Sequence, residues 1–286
     1  MFRNATGCPT FLIANAGPWL VILGVVITDF VIVQRLSECS WVGLDSILSE
    51  SHIAHVARVL WALKTSLGIL HSYYESLHPT SDSLADSRYF PLITTYPDGD
   101  GVVEFEYLGF LEHTPDCATL RARTKAGRNI VVKFVERYGE RAHCVLAAEG
   151  LAPALLYCGS PCFEQKEPSY QPISMVVMEY YIDGDTLAVK QRSGIDEGMM
   201  EFVQSEVQRA LNLLHDNGLV FGDLRRPNIM ITKDGKLKLI DFNWAGEEGQ
   251  AKYPSLLSKE IHWPEGVKAM AVMRREHDLA MLHSMF

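Results

Sequence analysis

Residues 221 to 242 read FGDLRRPNIMITKDGKLKLIDF, and no other stretch limits the possible folds of this chain as tightly. Two short apolar runs, NIMIT and KLKLIDF, flank KDGK, and Asp234-Gly235 is a strong signal for a tight β-hairpin. A hairpin returns its second strand antiparallel to its first, so Asn228 at the opening of one strand meets Asp241 at the close of the other. Asp223 lies five positions before Asn228. Three polar groups therefore converge at one end of the hairpin. An amide and a carboxylate so placed suit Mg2+ held through one or two protein oxygens, with its other positions left to phosphate. A second carboxylate off the metal suits the orientation or deprotonation of a hydroxyl. Taken singly, Asp223 reads as a turn former, Asn228 as an Asx cap and Asp241 as a strand end. Only their joint identity and spacing argues for chemistry.

The rest of the chain supplies the frame. From Tyr89 onward the texture is that of strands: GVVEFEYLGFLE, ATLRART, a KAGR turn and NIVVKFVE, followed by a helix in YGERAHCVLAAEG and two more strands in LAPALLYCG and ISMVVMEYY. This predicts a small antiparallel sheet with one helix. Lys133 stands in the apolar strand IVVKF, where an ammonium is costly unless paired, and Glu140 on the next helix is the expected partner. Beyond the sheet, IDEGMMEFVQSEVQRALNLLHDNG is a periodic helix that stops at Asn217-Gly218.

Before Tyr89 the sequence is different in kind. No charged residue occurs from Ala5 to Thr28, which raises a signal peptide or a membrane helix. Asn15, Gly17 and Pro18 interrupt the run, and its short apolar pieces TFLI, WLVILGVVI and FVIVQRL fit strands better. Residues 49 to 77 place Ile53, Val56, Leu60, Leu63, Leu67 and Leu70 at helical spacing, which predicts an amphipathic helix capped by Ser49 or Ser51. The Ser-, Asp- and Pro-rich stretch from His78 to Pro91 reads as a linker. The expected boundaries are an extension over residues 1–88, a sheet-bearing part over 89–178 and a helical part over 179–286.

Composition removes some partners. A net charge of -9 argues against nucleic acid or anionic lipid, both of which need a basic face. The six cysteines form no CxxC pair, and no His pair completes a zinc site, so they read as the reduced thiols of a cytoplasmic protein.

With these motifs assembled, the chain resembles the protein-kinase-like superfamily over roughly residues 105–286. The resemblance implies an α+β, two-lobed fold with a shortened C-lobe, preceded here by a β/α extension. IVVK is similar to the lysine strand, which makes Lys133 the contact to the α- and β-phosphates of ATP and Glu140 its partner; the helix around Glu140 is most similar to that of aminoglycoside phosphotransferases. VVMEYYIDGDTL is similar to the hinge, with Met178 as gatekeeper, the backbones of Glu179 and Tyr181 on adenine and Asp185 on the ribose. GDLRRPN resembles the catalytic loop, implying Asp223 as base and Asn228 as a Mg2+ ligand, and IDFNW resembles the metal motif led by Asp241. WPE at 263–265 and the helix of Asp278, expected to brace the catalytic loop, complete the likeness. The whole chain also resembles a kinase-like group of mushroom-forming fungi with a similar apolar N-terminal segment.

The departures shape the expected function. The phosphate-covering loop falls in LEHTPDCA, which contains no glycine, and close backbone approach to phosphate favours glycine. Phe221 and Gly222 stand where the motif has histidine and arginine, so Tyr253, Ser255 and Ser258 are poor activating phosphosites. Asn243 replaces a glycine, and the chain ends just after the Asp278 helix. The leading expectation is an ATP- and Mg2+-dependent phosphotransferase acting on a hydroxyl, of protein Ser/Thr or of a small-molecule alcohol. A pseudokinase or nucleotide-binding module and a membrane-anchored kinase-like protein are the alternatives.

Overall fold

The computed structural model describes residues 7–27, 31–43, 50–77, 90–111, 118–161 and 173–286. Two compact units divide between Leu92 and Ile93, just after the stretch read as a linker and slightly later than the expected boundary.

In the first unit the apolar run does form strands. β1 (Thr10–Ala16) and β2 (Trp19–Ile27) make a hairpin through Gly17, whose φ of 59° is the left-handed conformation that favours glycine. β3 (Val31–Arg35) pairs with β2, and the short β4 (Ser40–Trp41) continues along the same side of β2. One helix follows, α1 (Glu50–Ser76). Ser51 lies inside its first turn and is not the cap, while Ser49 falls outside the described residues. Of the expected apolar stripe, Val56, Leu63 and Leu70 lie on the packed side and the other three do not. Ile53, Leu60 and Leu67 are exposed, and only Leu63 is fully buried. Residues with reduced exposure instead follow the row His52, Val56, Val59, Leu63, Ser66, Leu70 and Tyr73, tied to the strands where His52 Nε2 donates to the Trp41 carbonyl and Tyr74 Oη to that of Pro9. Apolar residues occur on more than one side of this helix, so spacing alone could not select the packed side. Among the described residues, α1 is the helix that is long and apolar enough, by length and composition, to cross a membrane.

The second unit is built on a six-stranded antiparallel sheet. Its strands are β5 (Thr95–Asp98), β6 (Gly101–Phe110), β7 (Ala118–Thr124), β8 (Asn129–Val135), β9 (Leu155–Gly159) and β10 (Ser174–Glu179), in the order β5-β6-β7-β8-β10-β9. The single helix α2 (Glu140–Ala148) lies between β8 and β9 in sequence. Alternation of side chains sorts β8 and β10 into two faces. Ile130, Val132, Met175 and Val177 pack with Tyr96 and Phe105 on one face, while Val131, Val135, Val176 and Met178 pack on the other. By that alternation Lys133 shares the second face, with Val176 as its cross-strand neighbour.

Helices and short hairpins form the rest. β11 (Asp185–Thr186) leads into α3 (Leu187–Ser193), and α4 (Glu197–Asp216) is capped by the Asp196 carboxylate, which accepts from Met199 N at 2.8 Å. After α4 come β12 (Leu219–Val220), a 3-10 turn over Arg226–Asn228, β13 (Ile229–Ile231), β14 (Leu237–Leu239), β15 (Gly246–Glu247) and α5 (Arg275–Met285). β13 and β14 pair through Asp234-Gly235 as the sequence predicts. Val203, Val207, Ala210, Leu211 and Leu214 of α4 lie in one large core with Phe221, Phe242, Leu282 and Ala142 of α2.

A carboxylate with no solvent exposure sits at the centre of this part. Asp278 of α5 accepts from Phe221 N at 2.9 Å, Gly222 N at 2.8 Å and His215 Nε2 at 3.1 Å. Asp278→Ala would strand two buried N–H groups, and we expect it to lower the unfolding free energy by roughly 3 kcal/mol. Urea unfolding checks this, and a loss below about 1 kcal/mol would contradict the bracing role.

Candidate active site

The hairpin turns out as its sequence indicates. Ile240 N donates to the Asn228 carbonyl at 2.9 Å, which sets Asp241 one residue from the Asn228 pairing position. Asn228 is buried, and its Nδ2 donates to the Asp223 carbonyl at 2.8 Å and to Asp223 Oδ2 at 2.9 Å. With the amide nitrogen committed to Asp223, the amide oxygen is the end left for a cation. Asp241 has φ 65°, a conformation uncommon for a residue other than glycine and enriched at functional sites. From the sheet, Lys133 reaches the same place, with Nζ 2.8 Å from Asp241 Oδ1. Asp223, Asn228, Asp241 and Lys133 thus form one connected cluster.

Glu140 is outside it. The structure replaces the expected Lys133–Glu140 pair with Lys133–Asp241. Glu140 occupies the exposed first turn of α2, where the helix dipole favours a carboxylate, and it takes a hydrogen bond from the Cys158 thiol. Burial first, and then the Glu140 charge, push that thiol up to about 11. Asp185 is likewise elsewhere: it is exposed and pairs with Lys190 at 3.3 Å. Met178 is buried in β10, two residues along the sheet face from Val176. Next to it, Glu179 N is taken by the Ala154 carbonyl at 2.9 Å, and the Tyr181 carbonyl accepts from Gly184 N at 3.3 Å. The glycine-free stretch LEHTPDCA falls mostly on residues 112–117, outside the described residues.

Arg225 adds a contact that the sequence reading left open. Its Nε and Nη2 form a fork on the Asp223 carboxylate, with Nη2 to Oδ2 at 2.7 Å, and this bond raises the guanidinium above its ordinary range. A carboxylate so held has a fixed orientation, which suits the alignment of a hydroxyl. Arg226 points away, to the Met285 carbonyl at 2.6 Å.

Comparison with known proteins bears on these residues directly. The family model described as "Protein kinase domain" matches residues 162–269, which include Asp223, Asn228 and Asp241. A "Protein kinase C-like" protein of Cochliobolus heterostrophus is 36% identical over 87 residues, 30% of this chain and 7% of that protein. "Protein kinase C epsilon type" of Oryctolagus cuniculus is 38% identical over 93 residues, 32% of this chain and 12% of that protein. The "Probable cAMP-dependent protein kinase catalytic subunit" of Encephalitozoon cuniculi is 33% identical over 95 residues, 33% of this chain and 30% of that protein. The matched stretch is thus less than a third of each of these relatives. Over residues 162–269 the chain is similar to the protein kinase domain.

Within the matched stretch the departures from the kinase motif have physical reasons. Gly222 stands in place of an arginine with φ 79°, and a Cβ there would lie 2.7 Å from Met273 Sδ. Phe221 replaces a histidine and is fully buried, edge-on to Phe242 with ring centroids 5.4 Å apart. Tyr253 is buried too.

His143 of α2 was not singled out by the sequence, although a histidine inside a short apolar helix is a signal. It has no exposure and stacks on Phe242 with centroids 4.5 Å apart and planes 3° from parallel. Its Nε2 lies 2.8 Å from the Pro153 carbonyl, which can only accept, so Nε2 carries the proton and Nδ1 accepts from Tyr138 Oη at 2.7 Å. Burial, partly opposed by the Pro153 bond, lowers its pKa from 6.5 to about 4. In that window the unfolded chain binds the proton and the folded chain does not, so the neutral histidine favours folding above pH 6.5 and this advantage is lost as pH falls toward 4. The full difference is about 3 kcal/mol. We expect urea stability to rise from pH 4 to 6.5 more steeply in the natural protein than in His143→Gln; superimposable slopes would rule the assignment out.

Proposed function

We propose that the kinase-like domain transfers the γ-phosphoryl group of ATP to a hydroxyl, with protein serine or threonine as the favoured acceptor. The observation that carries the reading is the Lys133–Asp241 bond, because it joins the sheet to the Asp223–Asn228 loop at one point. Names of the relatives support a protein acceptor, since each is called a protein kinase.

The donor set fits Mg2+. Asp241 and the amide oxygen of Asn228 are hard oxygen donors, and a site with one carboxylate and one amide suits an ion that keeps water and phosphate as its other ligands. Mg2+, when bound, neutralises charge on the phosphates. Lys133 then fixes the phosphates by its ammonium, and the Met178–Tyr181 segment offers backbone groups to adenine. Asp223, clamped by Arg225 and Asn228, aligns the acceptor hydroxyl for in-line attack and takes up its proton as the new O–P bond forms and the bond from the γ-phosphorus to the departing ADP oxygen breaks. Arg225 stands two residues from the base, placed to share its charge between Asp223 and the transferred group. Cys39, Cys144 and Cys158 are free thiols, which supports a cytoplasmic setting.

A thermal-shift titration with Mg2+-ATP tests the reading. At about 100 times Kd the melting temperature should rise by roughly 5 °C, and Lys133→Met should abolish the rise. Asp223→Ala should keep the rise and eliminate phosphate transfer to protein substrates. No shift at millimolar Mg2+-ATP would leave a kinase-shaped binding module.

A further inference from the structure

The residues just before α2 lie against the segment that begins at Asp241. Arg137 Nε donates to the Asn243 carbonyl at 3.0 Å, and its Nη1 donates to the Lys252 carbonyl at 2.6 Å. One guanidinium thus joins two backbone points nine residues apart. Gly139 N donates to the Phe242 carbonyl at 2.9 Å. The approach there is close: a Cβ on Gly139 would lie 2.5 Å from the Ala245 carbonyl oxygen, although its φ of -84° suits any residue. On α2 itself Arg141 reaches Glu247 at 3.3 Å and the Asn217 carbonyl at 3.2 Å. The segment is also held from its other side, where Tyr253 N donates to the Ala271 carbonyl and Met273 N to that of Ala251.

With Glu140 away from Lys133, the lysine bond to Asp241 cannot be what couples helix α2 to the metal-ligand segment. We propose that Arg137 and Gly139 are positioning residues for the phosphotransfer reaction, fastening residues 242–252 to the base of α2 so that Asp241 is presented to the metal without phosphorylation of the segment. Neither touches the reacting atoms. Arginine is required because its planar fork reaches two carbonyls at once, and glycine because the backbones meet where a methyl group would stand. This rests on the proposed activity.

The test uses the full chain, a fluorescent N-methylanthraniloyl ATP and backbone hydrogen exchange. Compared with the natural protein, Arg137→Ala and Gly139→Ala are each expected to raise amide exchange over residues 243–252 at least tenfold. Each should also reduce, at least fivefold, the factor by which Mg2+ tightens nucleotide binding, with magnesium-free affinity within twofold. Arg137→Lys, able to reach one carbonyl, should fall between. Unchanged exchange in both alanine variants overturns the proposal. So does a parallel loss of magnesium-free and magnesium-dependent affinity, which would mark general damage. If the natural protein binds no nucleotide at all, the activity reading fails; the fastening then stands or falls on local exchange in the two variants.

Discussion

Two backbone N–H groups, those of Phe221 and Gly222, have to be satisfied in a fully buried place, and the Asp278 carboxylate satisfies both. Everything polar in the candidate site depends on that arrangement. The turn it fixes presents Asp223, Asp223 holds the Asn228 amide, and the Asn228 carbonyl receives the strand that carries Asp241. A buried carboxylate is costly, and it is tolerated here because three donors converge on it. The site is in effect a chain of hydrogen bonds suspended from one buried anion on α5.

Against this frame the electrostatics are locally balanced. Arg225 covers Asp223 and Lys133 covers Asp241, so neither carboxylate stands alone. Each cation is also the natural counterion for phosphate. The same two side chains thus serve the site in both arrangements, on the carboxylates and on an incoming polyanion.

How much of this was legible depended on how local the signal was. The β13–β14 hairpin was readable because Asp234-Gly235 determines the turn, and the turn determines which residues meet. Lys133 was readable because a charge in an apolar strand demands a reason. Its partner was not, because spacing places Glu140 on the neighbouring helix and says nothing of whether the side chain turns inward. Half of the α1 stripe was misassigned because Ile53, Leu60 and Leu67 are as apolar as Leu63 and Leu70, and only the strands beside them choose. Arg137 left no trace in the pattern at all: its partners are backbone carbonyls, which every residue carries.

The close approach at Gly222 bears on how such a sequence can diverge. Its left-handed φ and the sulfur 2.7 Å from an added Cβ leave two ways to change the position. Met273 can shorten in the same step, or the whole turn can shift with Asp278. A change confined to residue 222 meets both obstacles at once. Positions 222 and 273, fifty-one residues apart, are therefore expected to vary as a pair among descendants of this chain, although neither carries any of its chemistry.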